Sequence, residues 1–222
     1  RKMTYTTVTD GVDYPQATHI NQFATGLDNL ETGWTTGVGT WTYASATSIT
    51  IPSGGASLYA VGDRIKLTQT TVKYFYVISV ADTALGITGG TSYTLTNAAI
   101  TSPYFSHAAS PVGFPNSFTY SPTIAFTAGA APTTPSGTYF FALNGRVCTV
   151  STYTTYTGAG TTVTAATITL PIAHATGTQS AYGHLGVGTT PNPTVTDIVT
   201  TLRLQCTSVA ATRLIAGASY FI

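Results

Sequence analysis

The chain has 222 residues, of which 48 are threonine and 15 carry a formal charge, eight Lys or Arg and seven Asp or Glu. At 7% charged residues and a net charge of +1, it lacks the clustered basic side chains that binding to nucleic acid or anionic lipid requires. No apolar run approaches the roughly 20 residues of a membrane-spanning helix. Threonine's branched Cβ favours extended backbone while its hydroxyl keeps an outward sheet face wet, so a mainly β protein wetted by hydroxyls rather than charge is predicted.

The opening segment differs from the rest. Arg1-Lys2-Met3 leads into polar threonines rather than an apolar signal core. A helix is then predicted over 13–31, capped by Asp13 with Gln16 three residues on, and stopped by Gly33. Its apolar residues Ile20, Phe23, Leu27 and Leu30 recur at intervals of three, four and three, the a/d seam of a short coiled coil. With Gly26 inside it, such a helix is marginal alone. It either docks on the chain's own β domain or pairs with copies of itself as a dimer or trimer. Residues 1–36 are assigned to this segment, for attachment or oligomerisation.

A middle β domain is predicted over 37–110. Ser48 to Ile51 alternates, and Pro52-Ser53-Gly54-Gly55 turns the chain. Gly62-Asp63 opens the run Arg64 to Leu67. Val72 to Val80 is the clearest strand, with Val72, Tyr74, Tyr76, Ile78 and Val80 on one face and Lys73, Phe75, Val77 and Ser79 on the other. Both faces are apolar, so the strand is expected to be central or packed at a subunit contact. Gly89-Gly90 turns the next hairpin, and 111–117 reads as a stiff, proline-rich linker carrying Phe114.

From 118 to 222, strands are predicted over 123–126, 139–143, 146–153, 162–170, 181–187, 198–206 and 213–221, with Asn144-Gly145 as a hairpin signal. The predicted fold is mainly β: a short N-terminal helix, a small antiparallel module, then an antiparallel sandwich of jelly-roll type. The terminal Tyr220-Phe221-Ile222 is expected to be buried. Cys148 and Cys206 are read as buried free thiols, with a bridge between facing strands as the alternative.

Residues 116–222 contain one acid, Asp197, which leaves no paired-carboxylate mechanism within that domain. Asp63 and Asp82 are read as turn residues. His19, His107, His174 and His184 lie far apart in sequence. His174 and His184 could approach each other, but neither brings a carboxylate or thiolate ligand, so no metal, cofactor or catalytic residue is assigned and no enzyme is expected. Aromatics beside hydroxyls hold sugars, which makes Tyr153, Tyr156 and Tyr182 candidate glycan contacts.

The ordered series Gly39-Thr40-Trp41-Thr42-Tyr43, Val61-Gly62-Asp63-Arg64-Ile65, Lys73-Tyr74-Phe75-Tyr76-Val77, Gly89-Gly90 and Pro111-Val112-Gly113-Phe114-Pro115 resembles, over about 39–120, a module of tailed-bacteriophage virion proteins of the tail-fibre or structural kind. The last hundred residues, with Gly137-Thr138-Tyr139 and Gly145-Arg146-Val147, are similar in composition to β-sandwich fibre tips. The opening residues Asp10 to Asp13 and Thr18 to Gln22 are also similar to the start of such proteins. The resemblance implies a homotrimeric structural subunit on the virion surface, a tail or head fibre. Its partners would be capsid, portal, collar or tail proteins, with host-surface glycan outside and neither nucleic acid nor membrane insertion. A capsid decoration or cement protein is the first alternative. A secreted bacterial carbohydrate-binding or surface-layer module is the second.

Overall fold

A computed structural model of the chain describes residues 17–127, 133–158, 163–173, 180–186, 194–198, 201–209 and 213–222. Helix α1 spans Ala17–Thr32, and the part of the predicted helix at 13–16, with its cap, lies outside the described residues. Gly33 ends it: at φ 71° it donates its N–H to Asn29 O at 2.9 Å, the left-handed stop that glycine permits.

The next seven strands form one antiparallel sheet: β1 Thr35–Thr36, β2 Thr42–Ser45, β3 Ser48–Thr50, β4 Arg64–Thr68, β5 Val72–Ala81, β6 Ala84–Thr88 and β7 Thr101–Ser106. A four-residue helix, α2 Gly55–Leu58, lies between β3 and β4. Their order across the sheet is β1-β7-β4-β5-β6-β3-β2, so β5 is interior to it, as its two apolar faces require. One face holds the module core, with Trp41, Ile49, Ile65, Leu67, Phe75, Val77, Leu85 and Ile87. The other carries Tyr74 and Tyr76, which join the core shared with the C-terminal domain.

One part of the face assignment is corrected. The register of β5 on β6 slips between Val77 and Ser79, and beyond the slip Val80 packs with the module core while Ile78 stays with the opposite cluster. A bulge adds one unpaired residue and so inverts the alternation after it.

Nine more strands follow: β8 Phe118–Thr119, β9 Ile124–Thr127, β10 Thr133–Asn144, β11 Val147–Gly158, β12 Val163–Thr169, β13 Ser180–Gly186, β14 Thr194–Ile198, β15 Thr201–Val209 and β16 Arg213–Phe221. They make two antiparallel sheets, ordered β13-β16-β11-β10-β8 and β14-β15-β12-β9. Phe141, Val150, Ala216 and Tyr220 from the first share a core with Ala166, Ile168, Ile124 and Phe126 from the second, which makes the domain a sandwich.

The predicted strand 198–206 falls on two strands that pair antiparallel, with Ile198 on β14 facing Leu202 on β15. Val-Thr-Thr at 199–201 contains none of the residues that announce a turn. The hairpin near Asn144-Gly145 is present one residue later than its signal. Asn144 pairs with Val147, the two-residue turn is Gly145-Arg146, and only Gly145 takes positive φ, the pattern of a type II′ turn. At the end of the chain Tyr220 and Ile222 are buried and Phe221 between them is exposed, as the two-residue period of a strand requires.

The linker joins the two β units into one body. Phe114 lies 5.1 Å from the Tyr76 ring and 5.6 Å from that of Phe118, which itself stands 5.0 Å from Tyr76 and 5.9 Å from Phe141. Arg64 is buried over the Tyr76 ring and donates through Nη2 to Leu143 O at 2.8 Å. The Thr91 N–H donates to Thr119 O at 2.8 Å. Two turns touch so closely that a Cβ on Gly62 would collide with the Gly145 carbonyl.

Candidate functional site

Helix α1 enters the body at Trp34, a buried ring whose Nε1 donates to Val112 O at 2.8 Å and over which Lys66 Nζ sits at 4.6 Å. The Val112 N–H returns a bond to Thr32 O at 2.9 Å, so the helix exit is anchored on both sides. Beyond that anchor the seam is open. Leu27 is 49% and Leu30 78% exposed. At these two positions the stripe is not docked on the chain's own sheets. The side chains of Ile20 and Phe23 lie outside the described residues. In heptad terms, with Ile20 and Leu27 at a and Phe23 and Leu30 at d, Glu31 falls at e and Gly26 at g. A parallel homo-oligomer would therefore place Glu31 beside a glycine rather than a like charge.

The outward face of the five-stranded sheet is a second exposed surface. Phe140 on β10 is 40% and Tyr153 on β11 43% exposed. Phe140 pairs with Ser151 and Thr138 with Tyr153, so the two aromatics are diagonal neighbours, about 7–8 Å apart. Hydroxyls surround them, with Thr149 Oγ1 and Ser219 Oγ 3.1 Å apart across β11 and β16. Tyr182 occupies the register position opposite Gly217, and its side chain lies outside the described residues. Tyr156 is corrected as a candidate contact. It is buried, edge-on to Phe126 at 5.5 Å, because its position on β11 has the parity of the inward residues Val150, Thr152 and Thr154. Phe140, which sequence reasoning passed over, takes its place, and the alternation Thr138, Phe140, Ala142 against Tyr139, Phe141, Leu143 was the available signal.

One pairing had no sequence signal at all. The His107 ring is 61% exposed and its Nδ1 lies 2.8 Å from Oδ1 of Asp63, a carboxylate that is 6% exposed. The other oxygen of Asp63 accepts the Ala60 N–H at 2.8 Å, so Asp63 does turn the chain and also holds His107, the residue that follows β7. Asp82 behaves as a turn residue, accepting the Ser53 hydroxyl at 2.7 Å and the Gly54 N–H at 2.8 Å. These two donors hold its carboxyl below the ordinary range. His174 lies outside the described residues, as do the side chains of His19, His184, Asp197 and Cys206. Cys148 is a buried free thiol, pushed up to about 11 by burial, which keeps it protonated and inert. Among the described residues no three His, Cys, Asp or Glu side chains gather to hold a metal ion, and no helix is long and apolar enough to cross a membrane.

No protein-family model, curated protein or solved structure matches the chain.

Proposed function

We propose that the chain is a non-enzymatic structural subunit of a virion appendage, a tail or head fibre, assembled as a homotrimer along α1. The observation that carries this reading is the pair Leu27 and Leu30, which stand in solvent on a helix whose seam spacing suits a coiled coil. The helix has no basic residue in its last turn, where Glu31 opposes the macrodipole. Burial of its stripe by neighbouring copies supplies what the single helix lacks. Behind it, two β units locked at Tyr76, Arg64 and Phe118 give a stiff body suited to bearing load. The virion setting rests on the ordered resemblance over 39–120. The outward sheet face with Phe140 and Tyr153 is the surface such a subunit would turn toward a host glycan.

Mass photometry of the purified full chain is expected to show a species of three times the 23.0 kDa chain mass. Leu27→Ala with Leu30→Ala is expected to return it to monomer without loss of β structure by circular dichroism. A wild-type monomer at micromolar concentration overturns the trimer. Immunogold labelling of intact particles tests the setting: label on a fibre supports it, and label over the capsid shell assigns the decoration role instead.

A further inference from the structure

Six asparagines occur in the chain, and only Asn144 is followed by glycine. The pair sits at the β10–β11 hairpin, where the residues on either side are fastened. Leu143 O accepts Arg64 Nη2 at 2.8 Å, and Arg146 both donates through Nε to Ile222 O at 3.0 Å and accepts the Ile222 N–H at 2.9 Å. Between these clamps Asn144 and Gly145 are exposed. The Asn144 side chain makes no hydrogen bond with any described residue, and neither does the Gly145 N–H.

The two free groups are neighbours along the chain. When the Gly145 nitrogen meets the Asn144 side-chain carbonyl carbon a five-membered ring closes, and the Cβ that would crowd this approach in any other residue is absent at glycine. The space where it would stand is open. The approach needs a turn about the Asn144 Cα–C bond, which disturbs the terminal rung of the hairpin, to Val147. Such ends open at far lower free energy than the body unfolds.

We propose that Asn144 is a site of spontaneous covalent modification, deamidation through a cyclic imide, and that the product loosens the junction between the two β units. The Gly145 nitrogen gives its proton to hydroxide, and its electron pair forms a bond to Asn144 Cγ. The Cγ–Nδ2 bond then breaks, and the amide takes a proton from water and leaves as ammonia. Water adds to one of the two imide carbonyls and reopens the ring: cleavage at Cγ leaves aspartate, and cleavage at the main-chain carbonyl carbon leaves isoaspartate. One side-chain amide and one water become one carboxylic acid and one ammonia, with nothing oxidised or reduced. In isoaspartate the main chain runs through the side-chain carbon and is longer by that carbon. It is lengthened beside a Gly145 carbonyl that lies against Gly62, and next to the Leu143 carbonyl that holds Arg64.

The test keeps the folded full chain in mildly alkaline buffer and locates mass changes by tandem mass spectrometry. A gain of about 1 Da at Asn144, ahead of Asn97 and Asn116, is expected. An intact Asn144 in the folded chain, under conditions that convert a urea-unfolded sample, overturns the site. Thermal unfolding then reads the consequence. The aged wild type is expected to lose about 2–4 °C in Tm, while Asn144→Gln, which would need a six-membered ring, keeps its Tm over the same period. Asn144→Asp carries the new charge without the longer chain and is expected to melt above the isoaspartate form. Conversion at Asn144 with no fall in Tm relative to aged Asn144→Gln overturns the loosening.

Discussion

In the seven-stranded module the acids sit on turns. Asp82 ties the β5–β6 turn to Ser53 and Gly54, and Asp63 ties the turn before β4 to His107. Lys73 reaches Thr94 O at 2.6 Å and Gln69 reaches Thr96 O at 2.8 Å, fastening the long loop before β7. In the sandwich the same tasks fall to hydroxyls along strands, with Thr155 Oγ1 on Ser136 O at 3.2 Å and Thr149 on Ser219. Arg146, the one charged side chain of the sandwich among the described residues, donates through Nε to Ile222 O at 3.0 Å. Among the described residues, then, acids fasten turns and hydroxyls fasten strands. An irregular turn has few ladder bonds and needs a strong acceptor, whereas a strand already has its ladder and a hydroxyl suffices.

The two regions meet at a junction of aromatic rings. Phe118 is fully buried among Tyr76, Tyr93, Phe114 and Phe141. Phe118→Ala should cost about 3–5 kcal/mol. If the regions form one body, calorimetry shows a single transition displaced to lower temperature. Two transitions in the wild type, with only the upper or lower one moved by the substitution, would separate the regions after all.

A smaller effect isolates the contact itself. Gly145 takes φ 58° with open space around its missing Cβ, so Gly145→Ala should cost roughly 1–2 kcal/mol from backbone strain alone. Gly62 takes φ 95°, and its missing Cβ faces the Gly145 backbone. Gly62→Ala adds overpacking to strain and should cost about 3 kcal/mol or more. Equal losses in the two variants, measured by urea unfolding, would mean that the turns do not bear on one another.

Much of the module was legible in the sequence because local signals coincide with tertiary outcome there. Gly62-Asp63 opens β4, and the alternation of Val72 to Val77 has two apolar faces because β5 is interior to its sheet and both sides are covered. The bulge after Val77 was not legible, since nothing in Ile78-Ser79 marks an extra residue. In β11 and β12 of the sandwich, threonine at eight of nineteen positions blurs inside from outside. Thr152 and Thr154 are buried while Thr149 is exposed, and composition alone does not separate them. Tyr156 lies past the predicted strand end at 153, so its inward parity on β11, which runs to Gly158, was not legible. The seam of α1 was readable because its spacing is local, whereas the approach of His107 to Asp63 spans 44 residues and depends on the β4–β7 pairing.

A further consequence separates the regions by pH. Buried groups held neutral in the sandwich are Cys148, raised from an ordinary 9.0 to about 11, and Tyr120, Tyr156 and Tyr220, each also raised by burial. In the unfolded chain all four ionise earlier, so the stability they contribute is complete below about pH 9 and is lost as the pH rises towards 11 and beyond. Cys148→Ala should flatten the first part of that decline, between about pH 9 and 11. In parallel, a thiol reagent at pH 8 should leave Cys148 unmodified until denaturant is added, because about one thiol in a thousand is ionised at three units below its pKa. Rapid labelling of Cys148 in the folded chain would contradict its burial.

The smallest effect bears on the division of labour itself. The Asp82 carboxyl is held below its ordinary 3.8 by the Ser53 hydroxyl and the Gly54 N–H. A depressed carboxyl contributes stability that is present above the unfolded value and is lost as the pH falls through the folded one. Asp82→Asn should therefore lower Tm slightly at pH 7, and the gap to wild type should close as the pH drops below 3.8. Thr155→Val removes a hydroxyl bond in the sandwich and should cost about 0.5–1 kcal/mol at either pH, since neither partner titrates. The two variants need only the same thermal scans at two pH values. A gap for Asp82→Asn that persists in acid would mean that its carboxylate holds the turn by shape alone, and charge would then not be what distinguishes the turns of the module from the strands of the sandwich.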